Sequence, residues 1–482
     1  MPEHFPLMIA GAIEPASSLE VVAPFDQSPI AKVDTCGADG IEQALQTAYT
    51  LFRDRDAWLP VHRRIAILEQ CAELIRARAE FLAIEAAREG GKPLIDSRVE
   101  VVRAIDSIRL CAESLRGATG EVIAMGINPA SAGKQAHTVS EPIGVVVALS
   151  AFNHPLNLIA HQIGPAVAAG CPVIVKPAQD TPLSCYRLVA LLREAGLPDA
   201  WCQALVSESN EVTGRLVADR RVAFLSFIGS ARVGWMLRSQ LAPGARCALE
   251  HGGAAPVIVA RDADIGVVVP KLLKGGFYHA GQVCVSVQRV FAHASLARQL
   301  ASRLAEGAAR LRIGDPTLEQ TEVGPLIRPA EVERIGHWVR EAVDDGAELL
   351  SGGRPLSDTT YACTVLYDPP DSSRVSNEEI FGPVVCVYPY TDLDEAIARA
   401  NSLPWAFQAA VFTDSMVTAS RAAERLDASA VMINDHTAFR VDWMPFAGLR
   451  QSGLGVGGIP YTLHDMQVRK MIVVEAATPG AS

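Results

Sequence analysis

The first quarter of the chain is dominated by apolar residues at helical spacing. Between residues 38 and 117, one such pattern covers 58–75 and another 99–112, and the Gly-Gly-Lys-Pro segment 90–93 separates them. Ahead of these patterns, residues 1–35 contain short strand-like runs interrupted by prolines. We therefore predict short N-terminal strands followed by long helices.

The middle of the chain alternates between strand and helix patterns. The predicted strands are 145–149, 173–175, 203–206, 224–227 and 246–250, and the predicted helices are 155–169, 183–194, 212–218 and 231–240. A second alternating segment, 256–435, contains predicted helices at 264–280, 295–310, 330–345 and 393–402. Such alternation predicts an α/β fold with parallel sheets, which bind ligands at the carboxyl ends of their strands.

Two segments fall outside this alternation. Residues 118–141 are poor in large apolar residues and rich in Gly, Ser, Ala and Pro, which predicts an extended arm, and the tail has one clear strand at 471–474. Two strands without an obvious local partner can pair with each other or across a subunit boundary.

Composition narrows the function classes. The chain has 482 residues, which predicts two or three domains, and its 49% hydrophobic and 20% charged residues are typical of a globular protein. A net charge of −11 argues against a nucleic-acid or anionic membrane partner. No run approaches the about 18–20 apolar residues of a membrane span, and the N-terminus does not resemble a signal peptide.

The ten cysteines are scattered, without a CxxC pair or a His/Cys cluster at zinc spacing. This pattern indicates reduced thiols, so we expect a cytoplasmic protein with no metal site. One cysteine has an unusual setting. Cys284 follows glycines at 275, 276 and 281, between a helical and a strand-like pattern, which suits a nucleophile provided that it becomes a thiolate. A small core hydrophobe is the simpler interpretation of the same residue.

Polar residues follow several predicted strands, each with a simpler structural interpretation. An asparagine amide can stabilise an oxyanion, or simply cap a helix. A lysine can bind ribose or phosphate, or simply be solvated. A Gly-Ser pair at a helix start can bind pyrophosphate, and a glutamate can act as a general base. In chain order these residues are Asn153, Lys176, Gly229 with Ser230, and Glu250; Glu379 and Phe381 then precede a strand, and a glycine-rich loop with Phe446 precedes the tail.

Taken together, these motifs resemble the NAD(P)-dependent aldehyde dehydrogenase superfamily over essentially the whole chain. Six motifs of this superfamily occur in the expected order along the chain, at segments 151–155, 176–177, 227–230, 250–253, 281–284 and 379–383. The resemblance is greatest to the lactaldehyde and non-phosphorylating glyceraldehyde-3-phosphate dehydrogenase branch.

The resemblance implies a Rossmann-like cofactor domain, a second α/β catalytic domain and a small β oligomerisation arm. The implied NAD(P)-binding domain covers 1–117 and 142–252, the catalytic domain 253–450, and the arm and tail 118–141 and 451–482. It implies NAD or NADP as cofactor, a small aldehyde as substrate, and a homodimer or homotetramer.

Residue roles also follow from the resemblance. Cys284 is the implied nucleophile, Asn153 and the Cys284 N–H hold the oxyanion, and Glu250 activates water. Cofactor contacts are implied for Lys176, Gln179, Gly229, Ser230, Glu379 and Phe381.

The sequence departs from the family pattern at four positions in or next to these motifs. His154 replaces an aromatic residue and predicts a more polar pocket. Gln179 replaces a glutamate, which removes repulsion toward a 2′-phosphate and favours acceptance of NADP. His251 replaces a leucine and either tunes Glu250 or packs, and packing is preferred. Ala254 replaces a lysine without an evident reason.

The predicted substrate pocket includes Arg103, His154, Arg440 and Phe446. Arginines at such positions suit an anionic substrate end. The alternatives are that Arg440 pairs with Asp442 or Asp435, and that Arg103 pairs with Glu100 or Asp106.

Three functions remain open at this point. The first is oxidation of a small, polar, anionic aldehyde to its acid, which Glu250 favours. The second is a CoA-acylating relative, a branch that usually lacks this glutamate. The third is a non-catalytic binding protein, which the joint presence of Asn153, Glu250 and Cys284 disfavours.

Overall fold

The computed structural model describes residues 2–11 and 13–475. The end of the predicted tail, 476–482, therefore lies outside the described residues. The chain starts with a small mixed sheet, in which the third strand pairs in parallel with the first and antiparallel with the second. The strands are β1 (Glu3–Phe5), β2 (Ser17–Val22) and β3 (Pro29–Cys36).

The helical region predicted between residues 38 and 117 contains four α-helices, and the last of them extends beyond the predicted pattern 99–112 at both ends. The four helices are α1 (Ala38–Arg53), α2 (Val61–Ala77), α3 (Ala79–Gly90) and α4 (Leu94–Gly117). Proline explains two of the boundaries, because Pro60 and Pro93 directly precede α2 and α4. The apolar face of α4 also differs from expectation: Ile105 and Ala112 are buried, whereas Val99 and Val102 are more than half exposed.

The arm and the first alternating segment come next. Their elements are β4 (Val122–Ile123), β5 (Lys134–Pro142), β6 (Val145–Leu149), α5 (Asn157–Ala169), β7 (Val173–Lys176), α6 (Leu183–Glu194), β8 (Cys202–Ala204), β9 (Val206–Ser207), α7 (Asn210–Ala218), β10 (Val222–Ile228), α8 (Ala231–Gln240) and β11 (Arg246–Glu250). Strands β11, β10, β6, β7 and β8 lie in this order in a parallel sheet. Their carboxyl ends therefore meet at one edge.

The second alternating segment builds another sheet. Its elements are β12 (Ala255–Val259), α9 (Ile265–Phe277), β13 (Val287–His293), α10 (Ala294–Ala308), α11 (Pro329–Asp344), β14 (Glu348–Ser351), β15 (Thr364–Tyr367), α12 (Arg374–Asn377), β16 (Val384–Tyr390), α13 (Leu393–Ala400), β17 (Trp405–Ala406), β18 (Gln408–Phe412), α14 (Met416–Arg425) and β19 (Ala430–Ile433). The sheet order is β14-β15-β16-β13-β12-β18-β19, with only β14 antiparallel to its neighbour. The predicted α/β class is confirmed.

The tail returns to the first sheet and to the arm. Its elements are β20 (Leu449–Arg450), β21 (Gly453–Leu454), α15 (Ile459–Asp465) and β22 (Gln467–Glu475). Strand β21 pairs with β11, so the tail lies beside Glu250. Strand β22 pairs antiparallel with β5 along its full length. The two unpartnered strands predicted from the sequence thus pair with each other within one chain.

Across residues 2–11 and 13–475, no helix combines the length and apolarity needed to cross a membrane.

Candidate active site

One cavity collects the predicted site residues. It has a volume of about 490 Å³, and its wall includes all thirteen residues that the sequence singled out for catalysis, cofactor or substrate. Four neighbouring strands explain this convergence, because β6, β7, β10 and β11 each end just before or at one of these residues. The loop before β13, segment 436–446, Arg103 and the segment that contains Glu379 and Phe381 also contribute to the wall.

Cys284 lies in a loop with a constrained backbone. The preceding residues His279, Ala280 and Gly281 have φ values of 48°, 53° and 70°, in the left-handed region. A Cβ on Gly281 would lie 2.1 Å from the Gly382 carbonyl oxygen, so this position requires glycine. The turn brings Cys284 to the cavity wall, where its side chain is partly exposed.

Two carboxylates and one arginine affect the Cys284 thiol. Burial raises its pKa to about 12, Arg440 acts in the opposite direction, and the charges of Glu250 and Glu379 add to the increase. The thiol is therefore protonated at neutral pH, and a base must remove its proton before it can attack.

Glu250 is placed to be that base. It ends β11 and lines the cavity with Cys284. Burial raises its pKa above the ordinary glutamate value, and the charge of Arg440 partly offsets the increase. Its carboxylate lies against the backbone of Gly457, where a Cβ would come within 2.2 Å of Oε1. A base with a raised pKa accepts a thiol or water proton more readily.

Asn153 connects the first sheet to the cysteine loop. Its side-chain amide donates to the backbone oxygen of Gln282 at 2.9 Å, and the residue is buried. One amide hydrogen thereby holds the loop, and the second has no partner among the described residues.

The opposite part of the cavity has the donor set of a dinucleotide site. Lys176 Nζ donates only to the adjacent Pro177 oxygen, at 3.3 Å, within the described residues, and Gln179 Nε2 donates to the Ser207 oxygen at 3.5 Å. Gly229 and Ser230 precede α8, and the Ser230 side chain makes no capping hydrogen bond. The hydroxyl of Ser150, also on the wall, is buried without a partner in the described chain. These donors fit phosphate and ribose oxygens.

Glu379 and Phe381 lie at the boundary between the two sheets. Glu379 accepts from the Gly253 N–H at 3.2 Å, and burial raises its pKa to about 7. Gly252 leaves the space for this carboxylate, because a Cβ there would lie 1.6 Å from Glu379 Oε1. Phe381 packs edge-to-face on Phe152 at 5.8 Å.

The two predicted anion-binding arginines differ in their partners. Arg103 donates to Asp442 at 2.6 and 3.2 Å, and neither Glu100 nor Asp106 pairs with it. Arg440 has no carboxylate at ion-pair distance among the described residues. Its Nη2 lies 3.4 Å from His161 Nδ1, and its guanidinium lies 3.6 Å from the centre of the Phe446 ring. Arg440 is therefore the arginine left available to an anion.

His154 is a neutral member of this wall. Its Nε2 lies 3.0 Å from the Tyr278 hydroxyl. Burial, with the nearby charge of Lys92, holds its pKa well below the usual histidine value. His251 instead packs against the rings of Phe227 and Trp235, at 5.9 and 5.6 Å.

Sequence reasoning missed a buried polar group behind the pocket. It consists of Asp442, His161, Asn157, Lys92 and Glu100. Asp442 was considered only as a partner of Arg440. The available signal was a run of polar residues within the otherwise apolar helix α5 (Asn157, His161, Gln162), which is unusual in a buried helix.

Ala254 has a backbone role. Its oxygen accepts from Arg289 Nε at 3.3 Å, and Arg289 also donates to the carbonyl oxygens of Arg399 and Ala400. This contact does not explain why alanine in particular stands at this position.

The cavity has the parts of a nucleotide-dependent oxidoreductase with a cysteine nucleophile, and comparison with known proteins gives the same class. Residues 13–472 match the model of the aldehyde dehydrogenase family. A 3-sulfolactaldehyde dehydrogenase from Priestia aryabhattai is 35% identical over 459 residues, which cover 95% of each chain.

Two solved structures have the same fold along nearly the whole chain. Aldehyde dehydrogenase 21 from Physcomitrella patens, in complex with the reaction product succinate, is 34% identical with a TM-score of 0.94, covering 98% of this chain and 99% of that one. Glyceraldehyde-3-phosphate dehydrogenase GapN from Methanocaldococcus jannaschii, complexed with NADP, is 33% identical with a TM-score of 0.90, covering 95% and 99%.

The chain belongs to the aldehyde dehydrogenase family. The family resemblance drawn from the sequence is confirmed, and so are the enzyme class and the use of NAD or NADP. The roles of single residues in this cavity remain predictions.

Proposed function

We propose that this enzyme oxidises a small aldehyde whose far end is anionic, and that Cys284 carries the covalent intermediate to a carboxylate product. One observation carries the proposal. Cys284, Glu250 and an arginine without a carboxylate partner among the described residues, Arg440, line the same cavity. Relatives with anionic compounds in their names, sulfolactaldehyde and succinate, support the same substrate class.

The first chemical step forms a bond between Cys284 Sγ and the aldehyde carbon. Glu250 takes the thiol proton, and the free amide hydrogen of Asn153 with the Cys284 N–H stabilises the oxyanion of the resulting thiohemiacetal. The chemistry supplied by a bound nicotinamide is hydride acceptance, which converts the thiohemiacetal into a thioester. Lys176 and Glu379 would hold its ribose hydroxyls, and Gly229 and Ser230 would face its pyrophosphate.

Hydrolysis then releases the acid. Glu250 first releases the thiol proton to solvent and then, again as a carboxylate, takes a proton from a water molecule whose oxygen attacks the thioester carbon. The carbon–sulfur bond breaks, the carboxylate leaves, and Cys284 is regenerated.

The residues at the cofactor-binding part of the cavity support acceptance of both NAD and NADP. Gln179 is uncharged and Lys176 is a cation, so a 2′-phosphate meets no carboxylate at position 179. Gln179→Glu is expected to raise the KM for NADP about tenfold while leaving the KM for NAD nearly unchanged. Initial rates with each cofactor measure this, and equal changes with both would contradict it.

The test of the proposed function is a rate assay of cofactor reduction with matched aldehydes. Succinic semialdehyde carries a carboxylate, and butanal is its neutral counterpart of the same chain length. Cys284→Ala is expected to abolish turnover of both. Arg440→Gln is expected to reduce kcat/KM for succinic semialdehyde by about 10- to 100-fold and to change butanal much less.

Arg303→Gln is the matched control, because Arg303 is exposed on α10 away from the cavity wall. A wild-type enzyme that prefers butanal would contradict the anionic substrate. Turnover that survives in Cys284→Ala would contradict the nucleophile.

The CoA-acylating alternative predicts a different product. Incubation with CoA would then give a CoA thioester in place of the free acid, which product analysis distinguishes. Glu250 on the cavity wall favours the acid.

Assembly and location are part of the proposal. We infer a homodimer or homotetramer formed through the β4–β5–β22 sheet, and a cytoplasmic location from the ten free cysteines.

We also propose that the cofactor and catalytic domains divide near residue 252. The hydrophobic clusters support this boundary, because one of them is confined to residues 257–426.

A further inference from the structure

Asp442 is the centre of the buried polar group behind the pocket. It is 3% exposed, and it accepts from Arg103 at 2.6 and 3.2 Å, from His161 Nε2 at 2.8 Å and from Asn157 Nδ2 at 3.2 Å. Burial alone would raise its pKa, but the His161 and Arg103 contacts hold the pKa well below its usual range. Asp442 is therefore a permanent negative charge at neutral pH.

His161 carries no charge between Asp442 and Arg440. Burial and the charge of Arg440 lower its pKa to about 4, against the opposing effect of Asp442. Since Nε2 donates to Asp442, Nδ1 accepts from Arg440 Nη2 at 3.4 Å. The neutral imidazole thus orients Arg440 without neutralising it.

Apart from the catalytic carboxylate Glu250, the charges around the substrate end then sum to one positive charge. Arg103 and Asp442 cancel, Lys92 and Glu100 pair with each other, His154 and His161 are neutral, and Arg440 remains. Arg440 Nε is buried with no partner among the described residues. Glu250, when ionised, adds negative charge toward Cys284 and makes a second substrate charge still less favourable.

We propose that Asp442 is a specificity residue that limits the substrate to one negative charge, because it compensates the charge of Arg103 and leaves Arg440 as the positive charge that binds the anion. The substrate class is then an aldehyde with a carboxylate or sulfonate end, in preference to a dianionic phosphate or phosphonate. This inference rests on the proposed function, since it requires an anionic substrate end near Arg440.

A matched pair of substrates tests the charge rule, by which we mean the preference for one negative charge over two at the substrate end. Sulfoacetaldehyde and phosphonoacetaldehyde have the same chain length and similar tetrahedral heads. The sulfonate keeps one negative charge, whereas the phosphonate gains a second in the neutral pH range. Enzyme groups that titrate affect the rates with both substrates alike, so their effect divides out in the ratio of the two kcat/KM values. In the wild-type enzyme, the phosphonate-to-sulfonate ratio is expected to fall about tenfold or more as the second charge forms.

Asp442→Asn keeps the shape and an acceptor oxygen but removes the charge. It is expected to raise the phosphonate-to-sulfonate ratio at high pH about tenfold or more, because Arg103 becomes available to the second charge. Asp106→Asn makes the same chemical change on the exposed side of α4 and is expected to leave the ratio unchanged.

The outcomes separate this inference from the proposed function. If the wild-type enzyme prefers both anions to propanal but shows no fall in the ratio, the proposal for Asp442 is wrong and the anionic substrate stands. If it prefers propanal, the anionic substrate itself is wrong. If Asp442→Asn slows sulfonate, phosphonate and propanal equally, Asp442 is only structural. The wild-type pH series decides the charge rule even if the variant does not fold.

Discussion

At the scale of single residues, Arg440 couples the proposed substrate-binding end of the cavity to the proposed base, Glu250. Its positive charge lowers the pKa of Glu250, while burial raises it. In the proposed mechanism Glu250 works as a carboxylate, so kcat/KM is expected to fall as the pH decreases through its pKa. Removing the positive charge in Arg440→Gln therefore moves this acidic limb to higher pH, whereas Arg440→Lys keeps it in place.

A pH profile of kcat/KM with butanal measures the shift, because a neutral aldehyde does not need the arginine for binding. Glu250→Gln is expected to lose the limb and to reduce turnover about 10²- to 10⁴-fold. A limb that stays fixed or moves to lower pH in Arg440→Gln would show that the two groups are not coupled.

The residues that the sequence could predict are those placed by local rules. Asn153, Lys176, Ser230 and Glu250 each end or follow a strand of one parallel sheet, so their convergence follows from the alternation of strands and helices. Asp442 is different, because its partner Arg103 lies 339 positions away and on another element. Spacing along the chain carries no information about such a pair.

At the scale of elements, the turn before Cys284 depends on one glycine. Gly281→Ala would combine a left-handed φ of 70° with a Cβ 2.1 Å from the Gly382 oxygen. We expect a loss of at least about 1–2 kcal/mol of stability and a large fall in turnover, because relief of the clash displaces the cysteine loop. Thermal unfolding and steady-state rates measure both effects.

Ala280→Gly is the matched control for that substitution. Ala280 has a φ of 53°, so glycine relieves strain, while the buried methyl group and the greater freedom of the unfolded chain offset the gain. A small net change in stability is expected. Equal destabilisation by both variants would mean that the local backbone conformation does not decide the effect.

A buried ion pair connects the segment before α4 to Glu100 of α4, which in turn contacts the start of α5. Lys92, which is 0% exposed, pairs with Glu100, and the other oxygen of Glu100 accepts the Leu156 and Asn157 N–H groups at 2.9 Å each. Lys92→Met leaves a buried carboxylate without its cation, for which we expect a loss of about 3–5 kcal/mol. Denaturant unfolding measures the loss.

The double variant Lys92→Met with Glu100→Gln tests the reason for that loss. Glutamine keeps an acceptor for the two N–H groups without a charge, so the double variant is expected to be more stable than Lys92→Met alone. If the double variant is less stable than the single one, the loss comes from packing and not from an uncompensated charge.

At the scale of the whole molecule, the candidate active site and the proposed assembly surface belong to different parts of the chain. The cavity uses both large sheets, and β21 joins the tail to β11 beside Glu250. The arm sheet, formed by β4, β5 and β22, contributes no residue to the cavity wall. Four consecutive apolar residues of β22, Met471 to Val474, are each between 37% and 54% exposed. Because successive strand residues point to opposite faces, both faces of this sheet expose apolar side chains.

That exposure predicts that at least one face is covered by another copy of the chain. Met471→Glu with Val473→Glu changes one face, and Ile472→Glu with Val474→Glu changes the other. We expect at least one of these pairs to reduce the mass in solution to a smaller unit, measured by light scattering after size exclusion. Val61→Glu, at an apolar position 46% exposed on α2, controls for a general effect of added charge. A wild-type enzyme that is already monomeric, or an assembly that survives both pairs, would mean that the arm sheet is not the contact between subunits.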